Sequence, residues 1–114
     1  MPRFVVLAHD WPCPHWDFLV EAGPVLRAWR LLELPLAGAP VRAESNADHR
    51  LRYLDYEGPV SGNRGTVTRT DAGTCDWLED GDARVRIQLR GARFAGIAEL
   101  RRDDTGWTFA LAGG

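Results

Sequence analysis

The sequence predicts an all-β fold: a small, mainly antiparallel barrel, closed or partly open, with at most one or two short helical turns. Strand-like segments recur at short intervals between clusters of glycine, proline and aspartate, a spacing typical of sandwiches and barrels. Residues 83–90 alternate between apolar and polar side chains, whereas no apolar repeat of helical period lasts beyond a turn or two. The 12 glycines and 7 prolines indicate many turns, and five tryptophans supply bulky core material.

The individual strands follow from these signals in chain order. The first is an apolar run that ends before Pro12 and Pro14 interrupt pairing, and the second ends at the hairpin turn 21–24. Further hairpin turns are predicted at 90–93 and 103–106, and one short helical turn around 47–54. The predicted strands cover about residues 3–9, 14–22, 24–33, 40–45, 64–70, 73–78, 83–90, 93–102 and 106–111.

Length and composition limit the possible functions. A chain of 114 residues is expected to form one domain, residues 1–114, with a modest core. All fourteen basic residues are arginine, so a lysine nucleophile, and with it covalent adenylation in the manner of a ligase, is excluded. The net charge of −2 predicts only local contact with nucleic acid. With no signal peptide or membrane span recognised, we expect a cytoplasmic protein in which Cys13 and Cys75 are free thiols.

Two of the three histidines fall in the motif His9-x5-His15-x-Asp17. In an extended strand His15 and Asp17 lie on the same face, and the prolines before them favour a reversal that brings His9 back across from them. Two imidazoles and a carboxylate suit a divalent transition metal such as manganese, iron or zinc, and three protein ligands leave positions for water or a substrate oxygen. The motif therefore predicts a metal or phosphate site.

Less specific alternatives stay open at this point. A single histidine is more often a hydrogen-bonded structural residue than a ligand, so a polar cluster without metal is one alternative, provided that it is completely hydrogen-bonded. An arginine stripe at positions 84, 86, 90 and 93 is either a phosphate-binding face or, as the neighbouring acids favour, the solvated side of a strand. The glycine-rich segment 58–65 offers an anion backbone N–H groups and Arg64, but it matches no phosphate-loop spacing.

Several segments, taken in order and covering nearly the whole chain, resemble the 3′-phosphoesterase domain of bacterial DNA ligase D and its stand-alone relatives. The most specific features are the six-residue step between the first two histidines and the order of the two histidine-containing blocks. The segments are Phe4-Val5-Val6 with His9, His15-Trp16-Asp17-Phe18-x-x-Glu21, Val25-Leu26-Arg27-x-Trp29, Asp48-His49-x3-Tyr53-x-Asp55-Tyr56-Glu57-Gly58 and Leu89-x-Gly91.

The resemblance implies a compact, mostly antiparallel β-barrel with a polar groove that removes 3′-terminal ribonucleotides and 3′-phosphates using manganese. It implies that His9, His15 and Asp17 are metal ligands. It also implies that His49 and Tyr53 are catalytic, beside the scissile phosphate, where an imidazole holds a phosphate oxygen or protonates the leaving group and a phenol donates to phosphate oxygens. A nucleic-acid 3′ end is the implied substrate, and a separate ligase or polymerase is the implied partner of a stand-alone copy.

Two positions depart from the family pattern. Leu19 stands where the family has an arginine that helps to bind the phosphate, and Glu33 corresponds to a family lysine. Losing a charge-assisted contact to a transferring phosphoryl group costs about two to three decades in rate. Arg27, Arg30 and Arg64 are the candidate phosphate-binding residues that would replace the missing cation.

Two functions from different classes follow from these observations. The first is a metal-dependent phosphoesterase, a DNA repair hydrolase acting on a nucleic-acid 3′ end or a smaller phosphate ester. The second, favoured by Leu19, Glu33 and the acidic balance, is a catalytically weakened module that binds a metal or phosphate and recognises an end or an anion. The position of the three candidate arginines relative to the metal face separates the two.

Overall fold

The protein is a closed antiparallel β-barrel in a computed structural model that describes residues 1–35 and 39–113. Eight strands form the barrel, and a two-residue strand, β5, adds to the start of β6. The all-β prediction is therefore confirmed, whereas the single domain over residues 1–114 stays a prediction because residues 36–38 and 114 lie outside the described part. The elements are β1 Arg3–His9, β2 His15–Ala22, β3 Val25–Leu31, β4 Val41–His49, the 3-10 helix η1 Leu51–Leu54, β5 Gly58–Pro59, β6 Thr66–Asp80, β7 Arg84–Gly91, β8 Ala95–Asp103 and β9 Gly106–Gly113.

The strands follow one another around the barrel in the order β1-β2-β3-β4-β9-β8-β7-β6, and β6 returns to pair with β1. Because side chains alternate across a strand, every second residue points inward. The inward residues of all eight strands, among them Phe18, Trp29 and Phe109, form one interior cluster. This cluster is the main source of hydrophobic stabilisation.

A second apolar cluster lies on the outside of the barrel. Val5 and Leu7 alternate with the inward Phe4 and Val6, so their side chains point away from the interior cluster. Leu54 of η1 packs on this outer surface, and the segment after β4 consequently covers the outer face of β1, β2 and β3. The outer cluster consists of Val5, Leu7, Leu19, Leu26, Ala28, Leu54 and Val67.

The two predicted strands 64–70 and 73–78 are one long strand, β6, so that prediction is wrong. The Asp71-Ala72-Gly73 sequence has the composition of a turn but continues the strand. The Asp71 carboxylate is buried and accepts backbone N–H bonds from Ala92, Arg93 and Phe94 in the turn after β7. A Cβ on Gly73 would collide with the Arg90 carbonyl, so glycine allows β7 to approach closely.

The predicted strand 40–45 extends further, to His49, and the helical turn predicted from residue 47 begins only at Leu51. A register shift opposite Leu26 and Ala28 marks a bulge near the end of β4. The bulge redirects the chain, as bulges commonly do beside binding sites, and leads it into η1 across the outer face. The predicted turns at 21–24, 90–93 and 103–106 are confirmed as the hairpins β2–β3, β7–β8 and β8–β9.

The three arginines of the stripe that lie on β7 form ion pairs with acidic side chains of the neighbouring strands. Arg84 and Arg86 contact Glu99, and Arg90 contacts Asp76. These partners favour the solvated-strand interpretation over a phosphate-binding face. Within the described residues, no helix has the length and apolar character needed to cross a membrane.

Both cysteines are free thiols, as predicted, and their environments differ. Cys13 is exposed in the loop between β1 and β2, whereas Cys75 belongs to the interior cluster. Burial raises the pKa of the Cys75 thiol to about 11, because the thiolate would lose its hydration. Cys75 is therefore an inert core residue.

Candidate metal centre and phosphate groove

The β1–β2 hairpin brings His9, His15 and Asp17 together on the outer face of the barrel. His9 pairs directly with His15, and Asp17 pairs with Leu7, one step further along the same face. One ligand atom from each of the three residues lies within 4.8 Å of the others. The convergence predicted from the motif is therefore confirmed, and its origin is the register of one hairpin.

Backbone carbonyls fix the protons on both imidazoles. The Nδ1–H of His15 donates to the carbonyl of Cys13 at 2.9 Å, and the Nε2–H of His9 donates to the carbonyl of Arg64 at 2.8 Å. In a neutral imidazole the other nitrogen then carries a lone pair. Those nitrogens face the two oxygens of Asp17, at 3.0 Å from His15 and 3.1 Å from His9.

Two acceptor nitrogens that face two acceptor oxygens repel each other unless a proton or a metal ion lies between them. His15 is 2% exposed and Asp17 is 5% exposed, so water compensates little of the repulsion. Ligand histidines characteristically donate their remote N–H to a carbonyl and turn the other nitrogen to the metal. The donor set thus fits a divalent transition metal, and it fits poorly with a neutral polar cluster that satisfies itself.

A groove of about 480 Å³ opens beside this centre. It lies between the outer face of the barrel and the segment after β4, and His9 and Asp17 contribute to its wall. Four arginines and two aspartates line it, so its wall is positive although the whole chain carries −2. These charged residues are Arg30, Arg50, Arg52, Arg64, Asp17 and Asp48.

Arg30 is the arginine placed most directly beside the centre. It lies on the outer face of β3. In the register of the sheet its backbone is opposite Asp17 of β2 on one side and Glu44 of β4 on the other. It makes no ion pair within 4.0 Å with any described acid, and its Nε is buried without a hydrogen-bond partner. An uncommitted guanidinium next to a candidate metal ligand is suited to bind an anion.

The other two candidate arginines differ in position. Arg64 lines the groove, where its side chain bonds the carbonyl and hydroxyl of Ser61. Arg27 does not line the groove. Its side chain is on the same side of β3 as Trp29, where it stacks over the Trp29 ring and forms an ion pair with Asp80 at 3.0 Å. The structure therefore brings Arg30 and Arg64 to the site and places Arg27 elsewhere.

The two positions that depart from the family pattern also have clear locations. Leu19 is fully buried in the outer cluster, opposite Val5 and Ala28. Its side chain completes apolar packing beneath η1 and does not line the groove. Glu33 is exposed in the bend after β3 and does not line the groove either.

His49 and Tyr53 lie together in the wall of the groove. Their rings meet edge to face with centroids 5.8 Å apart, because His49 ends β4 and Tyr53 lies in η1 just beyond it. The Nδ1–H of His49 donates to the carbonyl of Ala47 at 2.9 Å, which leaves Nε2 as the nitrogen that can exchange a proton. Arg52 stacks over the Tyr53 ring and also lines the groove.

Sequence reasoning missed several residues of the groove wall. Arg50 and Arg52 lie between His49 and Tyr53 in the sequence, and this alternation of cations with a histidine and an aromatic residue was the available signal. Trp11 had no such signal, because a lone tryptophan between an aspartate and a proline is compatible with any turn. Only the path of the chain brings it to the groove.

Comparison with known proteins relates the chain to a DNA repair protein. It is 30% identical over 114 aligned residues to the multifunctional non-homologous end joining DNA repair protein LigD of Mycobacterium tuberculosis strain H37Rv. The LigD of Mycobacterium bovis matches at the same identity. Each alignment covers 91% of this chain and 15% of LigD, so the chain spans a small part of the length of these relatives. No family model matches the sequence.

The chain is thus similar to a segment of LigD. This agrees with the relationship to DNA ligase D expected from the histidine motifs. The assignment of that segment to the 3′-phosphoesterase domain stays a prediction.

Proposed function

We propose that this protein is a metal-dependent phosphoesterase that removes a 3′-phosphate or a 3′-terminal ribonucleotide from a nucleic-acid end. The observation that carries the proposal is the pair of imidazoles that donate their remote N–H groups to backbone carbonyls and face the Asp17 oxygens at 3.0 and 3.1 Å. This preorganised centre opens onto a groove with an arginine-rich wall.

His9, His15 and Asp17 would hold the metal, with manganese favoured by the family resemblance and zinc also compatible with the ligands. A metal in this position supplies charge neutralisation and lowers the pKa of a bound water. The carbonyls of Cys13 and Arg64 keep the two rings in the required orientation and tautomer.

Arg30 and Arg64 would bind the phosphate. A guanidinium presents several N–H donors in a plane that matches two phosphate oxygens. Arg30 takes over the role that an arginine has in the family at the position of Leu19, one strand away on the same outer face. A neighbouring strand can supply this cation because Arg30 lies directly beside Asp17.

His49 and Tyr53 would act on the other side of the phosphate. The carbonyl of Ala47 holds the His49 proton on Nδ1, so a second proton on Nε2 is the one available to the leaving oxygen. The Tyr53 hydroxyl would donate to a non-bridging oxygen. Removal of a 3′-phosphate leaves a 3′-hydroxyl, the end on which a separate ligase or polymerase acts, so we include such an enzyme as a partner in the proposal.

A module that only recognises an end or an anion is the second candidate. Leu19 favours it, because a buried alkyl group replaces the family arginine. Arg30 and Arg64 favour catalysis, because both line the groove beside the candidate metal ligands.

The test is hydrolysis of a primer–template that carries a 3′-phosphate or a single 3′-ribonucleotide, with manganese, zinc or a chelator. We expect metal-dependent removal of the terminal group, abolished in His9→Ala and retained in Asp76→Asn, a control whose carboxylate pairs with Arg90 outside the groove. Activity of His9→Ala equal to that of the native protein would refute the proposed metal centre. Lack of turnover with every metal, together with one bound ion in calorimetry, would support the binding module.

A further inference from the structure

Trp11 differs from the other tryptophans of the protein. Trp29 is buried in the interior cluster, and three more tryptophans are partly buried and pack against that cluster. Trp11 is 43% exposed and lines the groove. Among the described residues, no aromatic ring or guanidinium stacks on its indole.

The loop that carries Trp11 is held in place by contacts with the start of β6. The Asp10 carboxylate accepts a bond from the Thr66 backbone N–H at 2.7 Å. A Cβ on Gly65 would collide with both Asp10 and Trp11, so the loop lies directly against the backbone of residue 65. Gly65 also has a φ of +78°, which favours glycine there. Binding therefore requires little further ordering of this loop.

The anchoring places the indole beside the cationic wall. Gly65 follows Arg64, whose carbonyl orients His9 and whose side chain lines the groove. Trp11 and Arg64 thus line the same groove as His9 and Asp17, and the Trp11 loop lies against the backbone that directly follows Arg64. Proteins that bind single-stranded nucleic acid combine these same two elements, a cationic groove for the backbone and aromatic rings on which bases stack.

We propose that Trp11 stacks on an unpaired base adjacent to the phosphate in the groove, so that the ligand is the single-stranded end of a nucleic acid. A small phosphate ester would use the arginines and leave the indole without a function. This inference rests on the proposed function for the position of the phosphate. Because every base has a π-face, the contact selects for the presence of a base and tolerates any sequence.

The test measures binding of a short fluorescein-labelled oligonucleotide with a 3′-phosphate by anisotropy, in chelator, where no turnover occurs. Stacking on one aromatic ring is worth roughly 5- to 150-fold in affinity. We expect Trp11→Ala and Trp11→Leu to weaken binding by that factor and Trp11→Phe to retain most of it. Leu78→Ala is the matched control, because Leu78 is 48% exposed and lies outside the groove.

An oligonucleotide of equal length and charge with abasic sites at its 3′ end completes the design. The native protein should bind it about as weakly as Trp11→Ala binds the complete strand, and Trp11→Ala should not distinguish the two. Equal losses of Trp11→Ala on both strands would overturn the inference, because the indole would then only support the loop. Unchanged binding by Trp11→Leu, or no binding by the native protein, would overturn it as well.

These outcomes are independent of the proposed chemistry. Base-dependent binding without turnover under any metal would reject the phosphoesterase and retain the role of Trp11. Turnover of the 3′ end that is unaffected in Trp11→Ala, with unchanged binding, would retain the phosphoesterase and reject the role of Trp11.

Discussion

Asp17→Asn should reverse its effect on stability between metal-free and metal-loaded protein. In the metal-free protein the two Asp17 oxygens face the imidazole nitrogens that do not donate to a carbonyl, at 3.0 and 3.1 Å, and in the neutral tautomers these nitrogens are acceptors. Asparagine has nearly the same shape, and its NH2 group can donate to one of those nitrogens. Replacing one repulsive contact by a hydrogen bond should stabilise the metal-free protein by about 1 kcal/mol.

The metal should stabilise the native protein much more than Asp17→Asn, so that the order of their stabilities reverses. At a metal concentration a hundredfold above its Kd, the native protein should gain about 2.7 kcal/mol of stability. For a domain of this size about 1 kcal/mol corresponds to roughly 4 °C in Tm, so the native Tm should rise by about 10 °C. Asp17→Asn loses the anionic ligand and should show little or no rise.

The assay is thermal unfolding at pH 8, in chelator and in manganese or zinc, with urea unfolding as a second measurement. Glu79→Gln is the matched control, because it also removes one carboxylate but lies on β6 away from the groove. The reasoning fails if Asp17→Asn is less stable than the native protein in chelator, since protons would then already bridge the imidazoles and Asp17. It also fails if the metal stabilises both proteins equally.

Four further predictions rest on other features of the structure. Arg30→Gln should lower single-turnover release of a 3′-phosphate by about two to three decades, whereas Arg27→Gln should leave it unchanged, because only Arg30 lines the groove; equal effects would contradict the assignment. Asp71→Ala should lower the free energy of unfolding in urea by about 3 kcal/mol, because its carboxylate accepts three backbone N–H bonds; a loss within error would show that water replaces them. A thiol reagent at pH 8 should label only Cys13 in the native protein and both cysteines in urea, since burial raises the pKa of Cys75 to about 11. For the same reason stability should fall as pH rises from about 9, where the unfolded chain begins to lose the Cys75 proton, towards 11.

The architecture and the candidate ligands could be predicted because their signals are local. Alternation within 83–90 identified a strand with one buried face, and β7 has that pattern of burial. The His15-x-Asp17 spacing placed two ligands on one face by strand geometry alone. The prolines before His15 indicated a reversal, and the β1–β2 register then pairs His9 with His15.

The predicted ends of strands were wrong where a contact with a distant residue overrides the local preference of the sequence. Asp71 and Gly73 have turn propensities, but burial of the Asp71 carboxylate under the β7–β8 turn and close approach of β7 keep both within β6. The sequence predicts a helical turn around residues 47–54, whereas only Leu51–Leu54 is helical. Pairing with β3 through a bulge extends the strand to His49.

The sequence by itself determined the all-β class, the absence of lysine chemistry and the His9, His15 and Asp17 set, since composition and short-range spacing are sufficient for each. Tertiary structure decided which arginines reach the groove, because Arg27 and Arg30 lie three residues apart on one strand and therefore face opposite sides of the sheet. It also decided that Leu19 packs beneath η1 and that Trp11 lines the groove together with Arg64. These contacts depend on barrel closure and on the path of the segment after β4, which bring together residues that are distant in the chain.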